Sequence, residues 1–396
     1  MEKLFDKFFS KVDLVPSEFT RYLMKKIDWN DRLIGIKGAR GTGKTTLLLQ
    51  YAKGELPPDK RTLYVSLDDI YFSDNSLVGL ADEFVRQGGE YLLLDEVHRY
   101  RHWSAEIKNI FDDHPKLRII FTGSSIIQLN LAKSDLSRRA VMYELAGLSY
   151  REFINLKTGL SFKPFAMDKL LPGHTQIARS VTRQIKPYKY FSEYLEAGYY
   201  PYFLENPNTY HQKLAETIDL AMNTDLPPVF NISHQGIERL KLLLYVLSES
   251  VPFQPNVLKL SERIGVTRNT LVLFFHYLDE MRIIKRLYSS AKGIGRLQKP
   301  EKILMHHPNL HYAIAPENAE KSSMRESFFV NQTGYTERIQ YSHQGDFKIR
   351  NHIFEIGGKN KSGKQIKDIK EAYIVSDDIE TGINNRIPLW LFGFLY

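Results

Sequence analysis

The sequence predicts an α/β protein that begins with a doubly wound parallel sheet and continues into a helical region and a small α+β unit. Three observations predict it. Apolar runs at Leu33–Ile36, Leu63–Val65, Tyr91–Leu94, Leu117–Phe121 and Ala140–Leu145 alternate with helical patterns at Thr46–Lys53, Ser76–Gln87, Trp103–Asp112 and Ile126–Ala132. Strands alternating with helices in this way build a parallel sheet. A glycine-rich turn separates the first strand from the first helix, and after residue 148 the alternation gives way to helical, aromatic sequence and then to short apolar runs.

The turn is Gly38-Ala39-Arg40-Gly41-Thr42-Gly43-Lys44-Thr45, which fits G-x-x-x-x-G-K-[ST] in full and runs into Thr46. Glycines without a Cβ let backbone N–H groups turn inward around phosphate oxygens, and the helix N-terminus adds positive potential. The motif therefore predicts ATP bound along residues 38–46. Lys44 is expected on the β- and γ-phosphates, and Thr45 on Mg²⁺. In a doubly wound sheet the ligand sits at the carboxyl ends of the strands, where this turn lies.

The third strand ends in Asp95-Glu96. Asp95 is expected in the Mg²⁺ shell, and Glu96 is expected to orient and polarise the attacking water as a catalytic residue. The fourth strand ends in Thr122-Gly123-Ser124-Ser125. If this strand lies beside the first, a hydroxyl at its end reaches the γ-phosphate; Ser124 is preferred over Ser125, and a helix N-cap is the alternative role. Phosphoryl transfer also calls for an arginine near the γ-phosphoryl. Arg139, in Ser137-Arg138-Arg139, is the candidate, set against an ordinary salt bridge. It could act within the chain or from a second copy, so a homo-oligomer is among the expected assemblies.

With its 396 residues the chain is long enough for several domains, and its 43% hydrophobic and 25% charged content is that of globular proteins. No run approaches a membrane span, and Met1–Phe9 carries acids where a signal peptide has an apolar region. With no cysteine, disulfides and thiolate metal sites are excluded. A soluble, cytoplasmic protein is expected. Arg282–Lys302 holds seven Lys/Arg against one acid, and Lys359–Lys370 five against one. Such clusters suit a polyanion or a solvated basic face.

The second half starts with crowded aromatics, Tyr188, Tyr190, Phe191, Tyr194, Tyr199, Tyr200, Tyr202 and Phe203, expected to pack together rather than to stack on bases. Pro164–Pro187 reads as a connector with short helices. Gly236–Ser248 is a predicted helix. Leu258–Ile264, a turn at Gly265 and a Thr267-capped helix to Met281 then describe a helix-turn-helix, with Ile283–Leu287 as the first strand of a wing. Thr267, Arg268, Asn269, Lys285, Arg286, Lys292 and Arg296 are the candidate contacts to double-stranded DNA. Strands are expected around Phe347–Ile349, His352–Ile356, Ala372–Val375 and Leu389–Phe394, with a helix near Ser323–Gln332.

The P-loop, Leu94-Asp95-Glu96-Val97-His98, Phe121-Thr122-Gly123-Ser124-Ser125, Ser137-Arg138-Arg139 and Leu148-Ser149-Tyr150-Arg151-Glu152-Phe153 together resemble prokaryotic AAA+-like P-loop ATPases with a C-terminal domain of unknown function. Tyr194–Pro201, the helix-turn-helix and a terminal nuclease-like unit extend the resemblance over nearly the whole chain. That family usually has Gly-Arg where this chain has Arg138-Arg139. The resemblance implies an AAA+-like ATPase domain at 1–155, a helical lid or connector at 156–235, a winged helix at 236–305 and a restriction-endonuclease-like domain at 306–396. Asp346, Glu355 and Lys359 resemble the acid, acid, lysine order of such nucleases, with Glu326 as a further acid. The lysine stands too far along, however, and only a strand continuing through Gly357-Gly358 would bring it to the same face. The expectation is therefore a vestigial nuclease fold used for docking. The expected function is ATP hydrolysis coupled to a winged-helix and nuclease-like region acting on DNA. The rivals are a nucleotide-gated switch with a protein partner and an ATP-regulated endonuclease.

Overall fold

The computed structural model describes residues 1–124, 129, 136–249, 255–289, 299–318 and 320–396. Ser125, most of the expected helix Ile126–Ala132, Pro252 and the wing cations Lys292 and Arg296 lie outside the described residues. The chain divides into two compact units, Met1–Gly147 and Leu148–Tyr396.

In the first unit, strands β1 (Leu33–Lys37), β2 (Thr62–Ser66), β3 (Tyr91–Asp95), β4 (Arg118–Gly123) and β5 (Val141–Glu144) form one sheet in the order β2-β3-β4-β1-β5. Every pairing is parallel. Helices α1 (Glu2–Leu14), α2 (Lys44–Glu55), α3 (Leu77–Arg86) and α4 (Trp103–Asp113) cover it. Leu33, Leu63, Leu92, Leu94, Ile119 and Phe121 face a core shared with α3 and α4, whereas Ile34, Ile36, Tyr64, Leu93 and Ile120 face one shared with α2. Successive strand residues point to opposite faces, so burial on both sides makes the strands read as continuous apolar runs. Helix α1 lays Leu4, Phe5 and Phe8 against these cores. The fold class read from the sequence is the one observed.

The second unit contains Tyr150–Phe153, placed with the first domain by the sequence reading. Ser149 Oγ and Arg151 Nε both donate to the Tyr396 main-chain oxygen at 2.8 Å, and Tyr150 N donates to Gln332 Oε1 at 3.0 Å. Tyr150 is fully buried against Phe191, Tyr194 and Phe394. A capping box, Ser149 with Glu152, starts the helix Tyr150–Thr158. The expected aromatic packing is present: Phe191, Tyr194, Tyr199, Tyr200 and Phe203 are all buried.

Two local readings are corrected. The stretch read as a connector holds the helix Met167–Thr182, with Pro172 inside it. Met167, Leu170, Leu171, His174, Ala178 and Val181 are buried at helical spacing, and burying that stripe outweighs the hydrogen bond lost at the proline. Leu389–Phe394, read as a strand, is a run of 3-10 turns whose residues are all buried. A short run that is apolar at every position carries no period to separate strand from helix.

Helices His234–Ser248, Val257–Ile264 and Arg268–Glu280 precede an antiparallel hairpin of β6 (Ile284–Leu287) and β7 (Lys302–Met305). Gly265 takes φ +74° between the last two helices, and Thr267 Oγ1 accepts from Thr270 N at 3.2 Å. The helix Lys321–Gly334 then leads into a sheet of β8 (Ile339–Tyr341), β9 (Phe347–Ile349), β10 (His352–Gly357), β11 (Ala372–Ser376) and β12 (Arg386–Pro388).

His306, His307 and His311 are buried in this unit, and burial holds all of them below the ordinary histidine range of 6.5, His311 at about 4. The unfolded chain takes up these protons at a higher pH than the folded one. The stability these three histidines contribute is therefore full above about pH 6.5 and is lost as pH falls from there toward 4, while Glu326, raised to about 7, contributes in the opposite sense. For His311 alone the loss approaches about 3 kcal/mol. Unfolding midpoints followed by circular dichroism are expected to fall across this window; a flat profile down to pH 5 would count against neutral, buried histidines.

Candidate functional site

The loop between β1 and α2 is built on backbone that side chains resist. Gly41 and Gly43 have φ of +79° and +91°, a region glycine enters without penalty. A Cβ on Gly38 would lie 2.5 Å from the Leu145 carbonyl. Lys44 Nζ donates to the Gly38 and Ala39 carbonyls at 3.0 Å each, so the buried ammonium is held across the loop. Burial draws its pKa down, opposed by the Glu96 and Asp95 carboxylates. Thr42 Oγ1 donates to the Ala39 carbonyl at 2.9 Å.

Because β4 lies between β1 and β3, the ends of these three strands meet. Thr45 Oγ1 donates to Asp95 Oδ2 at 2.6 Å, Tyr64 OH donates to the same oxygen at 2.8 Å, and Thr122 Oγ1 donates to Asp95 Oδ1. Glu96 N donates to Asp95 Oδ1 at 3.1 Å. Both oxygens of a carboxylate that is 2% exposed are thereby fixed in direction. Burial, with Asp95 next to it, drives the Tyr64 phenol far above its ordinary range, so it stays a donor. Glu96 adopts a left-handed φ of +51°, which takes its side chain off the strand direction. Ser124 Oγ donates to Glu96 Oε1 at 2.7 Å, and His98 Nδ1 lies 3.3 Å from Oε2.

The structure thus brings together Lys44, Thr45, Asp95, Glu96 and Ser124. Tyr64, Thr122 and His98 belong to the same cluster and were missed. Thr122 had a signal, a hydroxyl at the end of a strand inside a quoted motif; Tyr64 and His98 had none without the strand order. Hydroxyl and carboxylate oxygens at Thr45 and Asp95 are the hard donors Mg²⁺ takes, beside a loop shaped for phosphate.

Arg139 is placed elsewhere. It precedes β5, and its Nε and Nη2 each donate to the Asp112 carboxylate at 2.9 Å, near the end of α4. Val141 pairs with Ile34, whereas Glu144 pairs with Lys37 just before the loop. Arg139 therefore lies at the opposite strand ends, roughly 15–20 Å from the loop along the strands. It does not lie beside the loop in its own chain, which its position before a parallel strand already implied.

A second cluster lies in the C-terminal sheet. Lys302 Nζ, from β7, stands 2.5 Å from Glu326 Oε2 and 3.8 Å from Asp346 Oδ1. Asp346 Oδ2 accepts from Ile356 N at 2.7 Å, and Lys361 Nζ lies 3.2 Å from Glu355 Oε1. Burial, reinforced by Asp346, pushes Glu326 up to about 7 against the pull of the lysines. Lys359 is not the lysine beside Glu355: β10 ends at Gly357, Lys359 is exposed, and Lys361 lies next to Glu355. Among the described residues no group of three acidic or histidine side chains is arranged to hold a metal ion. Among them, too, no helix is long and apolar enough to cross a membrane.

Residues 30–154 match the "AAA domain" family, and residues 188–321 match the family described as "Domain of unknown function (DUF8612)". The uncharacterized protein MJ1637 of Methanocaldococcus jannaschii is 27% identical over 301 residues, 71% of this chain, which spans 63% of that relative's length. Among solved structures, the Walker-type ATPase paby2304 of Pyrococcus abyssi is similar at 13% identity and TM-score 0.43, over 76% of this chain and 99% of that one. The Aeropyrum pernix ORC1 protein, solved in complex with DNA, is similar at 12% identity and TM-score 0.32, over 82% of this chain and 91% of that one. The first unit is an AAA-type P-loop ATPase fold, on its family match, its loop and its strand order.

Proposed function

We propose that this protein binds ATP with Mg²⁺ and hydrolyses it at the ends of β1, β3 and β4, and that nucleotide state controls how its second unit engages double-stranded DNA. The observation that carries the enzymatic part is the single hydrogen-bonded group linking the P-loop hydroxyl of Thr45 to Asp95, with Glu96 beside it on Ser124. Mg²⁺ bound there would neutralise charge on the β- and γ-phosphates. Lys44 would leave the loop carbonyls for the phosphates, as a buried cation favouring added negative charge. Glu96 would accept the proton of the attacking water, its carboxylate aimed by Ser124.

The DNA part rests on the helix Arg268–Glu280 and the hairpin after it, which we assign as a winged helix. Leu271, Phe274, Phe275 and Leu278 are buried on its inner face, leaving Thr267, Arg268 and Asn269 exposed at its start. That is the part of a recognition helix that reads base edges. Arg286 is less suited to phosphate, because Nε donates to Asp279 Oδ2 at 3.0 Å. In the C-terminal sheet, Lys302 fills the position between Glu326 and Asp346 that a cation would take in a nuclease, which supports a docking role over cleavage. One observation favours a protein partner instead: Leu273, on the same helix, is 49% exposed.

Steady-state Mg²⁺-ATP hydrolysis with and without double-stranded DNA, at low and moderate salt, separates these readings. Turnover is expected to rise with DNA, the rise is expected to fade with salt as phosphate contacts are screened, and the DNA is expected to remain uncut. Turnover indifferent to DNA would favour the protein-gated switch, and cut DNA the nuclease.

A further inference from the structure

Arg21 precedes β1 at the start of the 3-10 turn Tyr22–Lys25, and it is only 5% exposed. Its Nη1 donates to the Thr42 carbonyl at 2.5 Å, and its Nη2 donates to the Ala146 and Gly147 carbonyls at 2.7 and 2.9 Å. One guanidinium therefore ties the middle of the P-loop to the chain leaving β5. The same chain backs the loop a second time, since the Leu145 carbonyl leaves no room for a Cβ on Gly38 and Leu145 N donates to the Lys37 carbonyl at 2.8 Å.

The peptide between Thr42 and Gly43 is planar and trans, so its C=O and N–H point in opposite directions. With the Thr42 carbonyl drawn to Arg21, the Gly43 N–H points away from Arg21. Gly43 sits at the N-cap of α2 with φ +91°, and its N–H lies in the plane of the peptide it shares with Thr42. Inward N–H groups at this place are what hold phosphate oxygens. Three carbonyls on two chain segments suit the planar fork of an arginine; a lysine presents a single nitrogen at the end of a flexible stem.

We infer that Arg21 is a positioning residue of the nucleotide site, holding the Thr42 carbonyl against the β5 exit so that the Gly43 N–H faces the bound phosphates. The inference rests on the ATP reading above and concerns the phosphate part of the ligand alone. The test compares parent, Arg21→Gln and Arg21→Lys proteins for binding of ATP and of inorganic tripolyphosphate by calorimetry, and for KM and kcat. Both ligands are expected to weaken about tenfold with Arg21→Gln, the scale of one charge-assisted hydrogen bond. KM is expected to rise in step with kcat nearly unchanged, Arg21→Lys to recover only part of the loss, and added guanidinium ion to restore binding to Arg21→Gln. Parent affinity in Arg21→Gln would overturn the inference. So would a loss confined to kcat, or a collapse of the fold that guanidinium does not rescue, either of which would make the residue structural. A parent protein that binds neither ligand would instead remove the ATP reading itself, and the two failures are thereby told apart.

Discussion

Glu96→Gln is expected to lower ATP turnover at least about a hundredfold while ATP affinity stays within a few-fold of the parent. The amide has the shape of the carboxylate, so its oxygen can still accept from Ser124 Oγ, now 2.7 Å from Glu96 Oε1. What is lost is the proton acceptor. The nucleotide would therefore bind and stay, because Lys44, Thr45 and Asp95 are untouched. The left-handed backbone at residue 96 is no harder for glutamine than for glutamate, so a folding defect is not expected to mimic the result. Single-turnover hydrolysis and a binding titration on the same protein check it. Parent-rate hydrolysis by Glu96→Gln would move the base to another residue.

Lys44→Ala is expected to weaken ATP binding about a hundredfold, the scale of two charge-assisted hydrogen bonds to phosphate. The buried ammonium now donates to the Gly38 and Ala39 carbonyls, and its burial opposes the charge. Removing it should therefore change the melting point of the nucleotide-free protein little. The clear readout is the stabilisation by ligand. At ATP one hundred times the parent Kd, binding adds about 2.7 kcal/mol to the parent, and about 0.4 kcal/mol to a variant one hundred times weaker. Thermal melts with and without Mg²⁺-ATP measure that difference directly. An equal ligand-induced rise in both proteins would mean that Lys44 does not touch the phosphates.

The parts of this site that were legible in the sequence are those carried by contiguous residues. The P-loop could be read whole, because its chemistry belongs to backbone N–H groups and one lysine within a single turn. Asp95 and Glu96 could be read because a strand end delivers them as neighbours. Ser124 could be read only on the condition that β4 lies beside β1, which it does. Tyr64 and His98 could not: a tyrosine inside an apolar strand and a histidine in a short turn look like ordinary core residues until Asp95 and Glu96 are seen against them. Arg21 had no signal at all, since its partners lie far along the chain.

The second unit shows the same division. Helix caps at Thr267 and the positions of β9 to β11 followed from local pattern, whereas Pro172 and the Leu389–Phe394 run were misread because tertiary burial overrode the local signal. The choice of lysine was a matter of geometry too. Lys359 was nearest by count, yet β10 ends before it, and Lys361 and the distant Lys302 meet the acids instead.

What the sequence by itself determined is the alternation of strand and helix, the phosphate loop and the acids at one strand end, since periodicity and backbone conformation are properties of neighbouring residues. The tertiary structure alone decided that Ser124 and Thr122 reach Glu96 and Asp95, that Arg139 meets Asp112, and that a lysine stands among the C-terminal acids. Those contacts depend on strand order and register, which are set by how buried faces fit together across the whole unit rather than by any short stretch of chain.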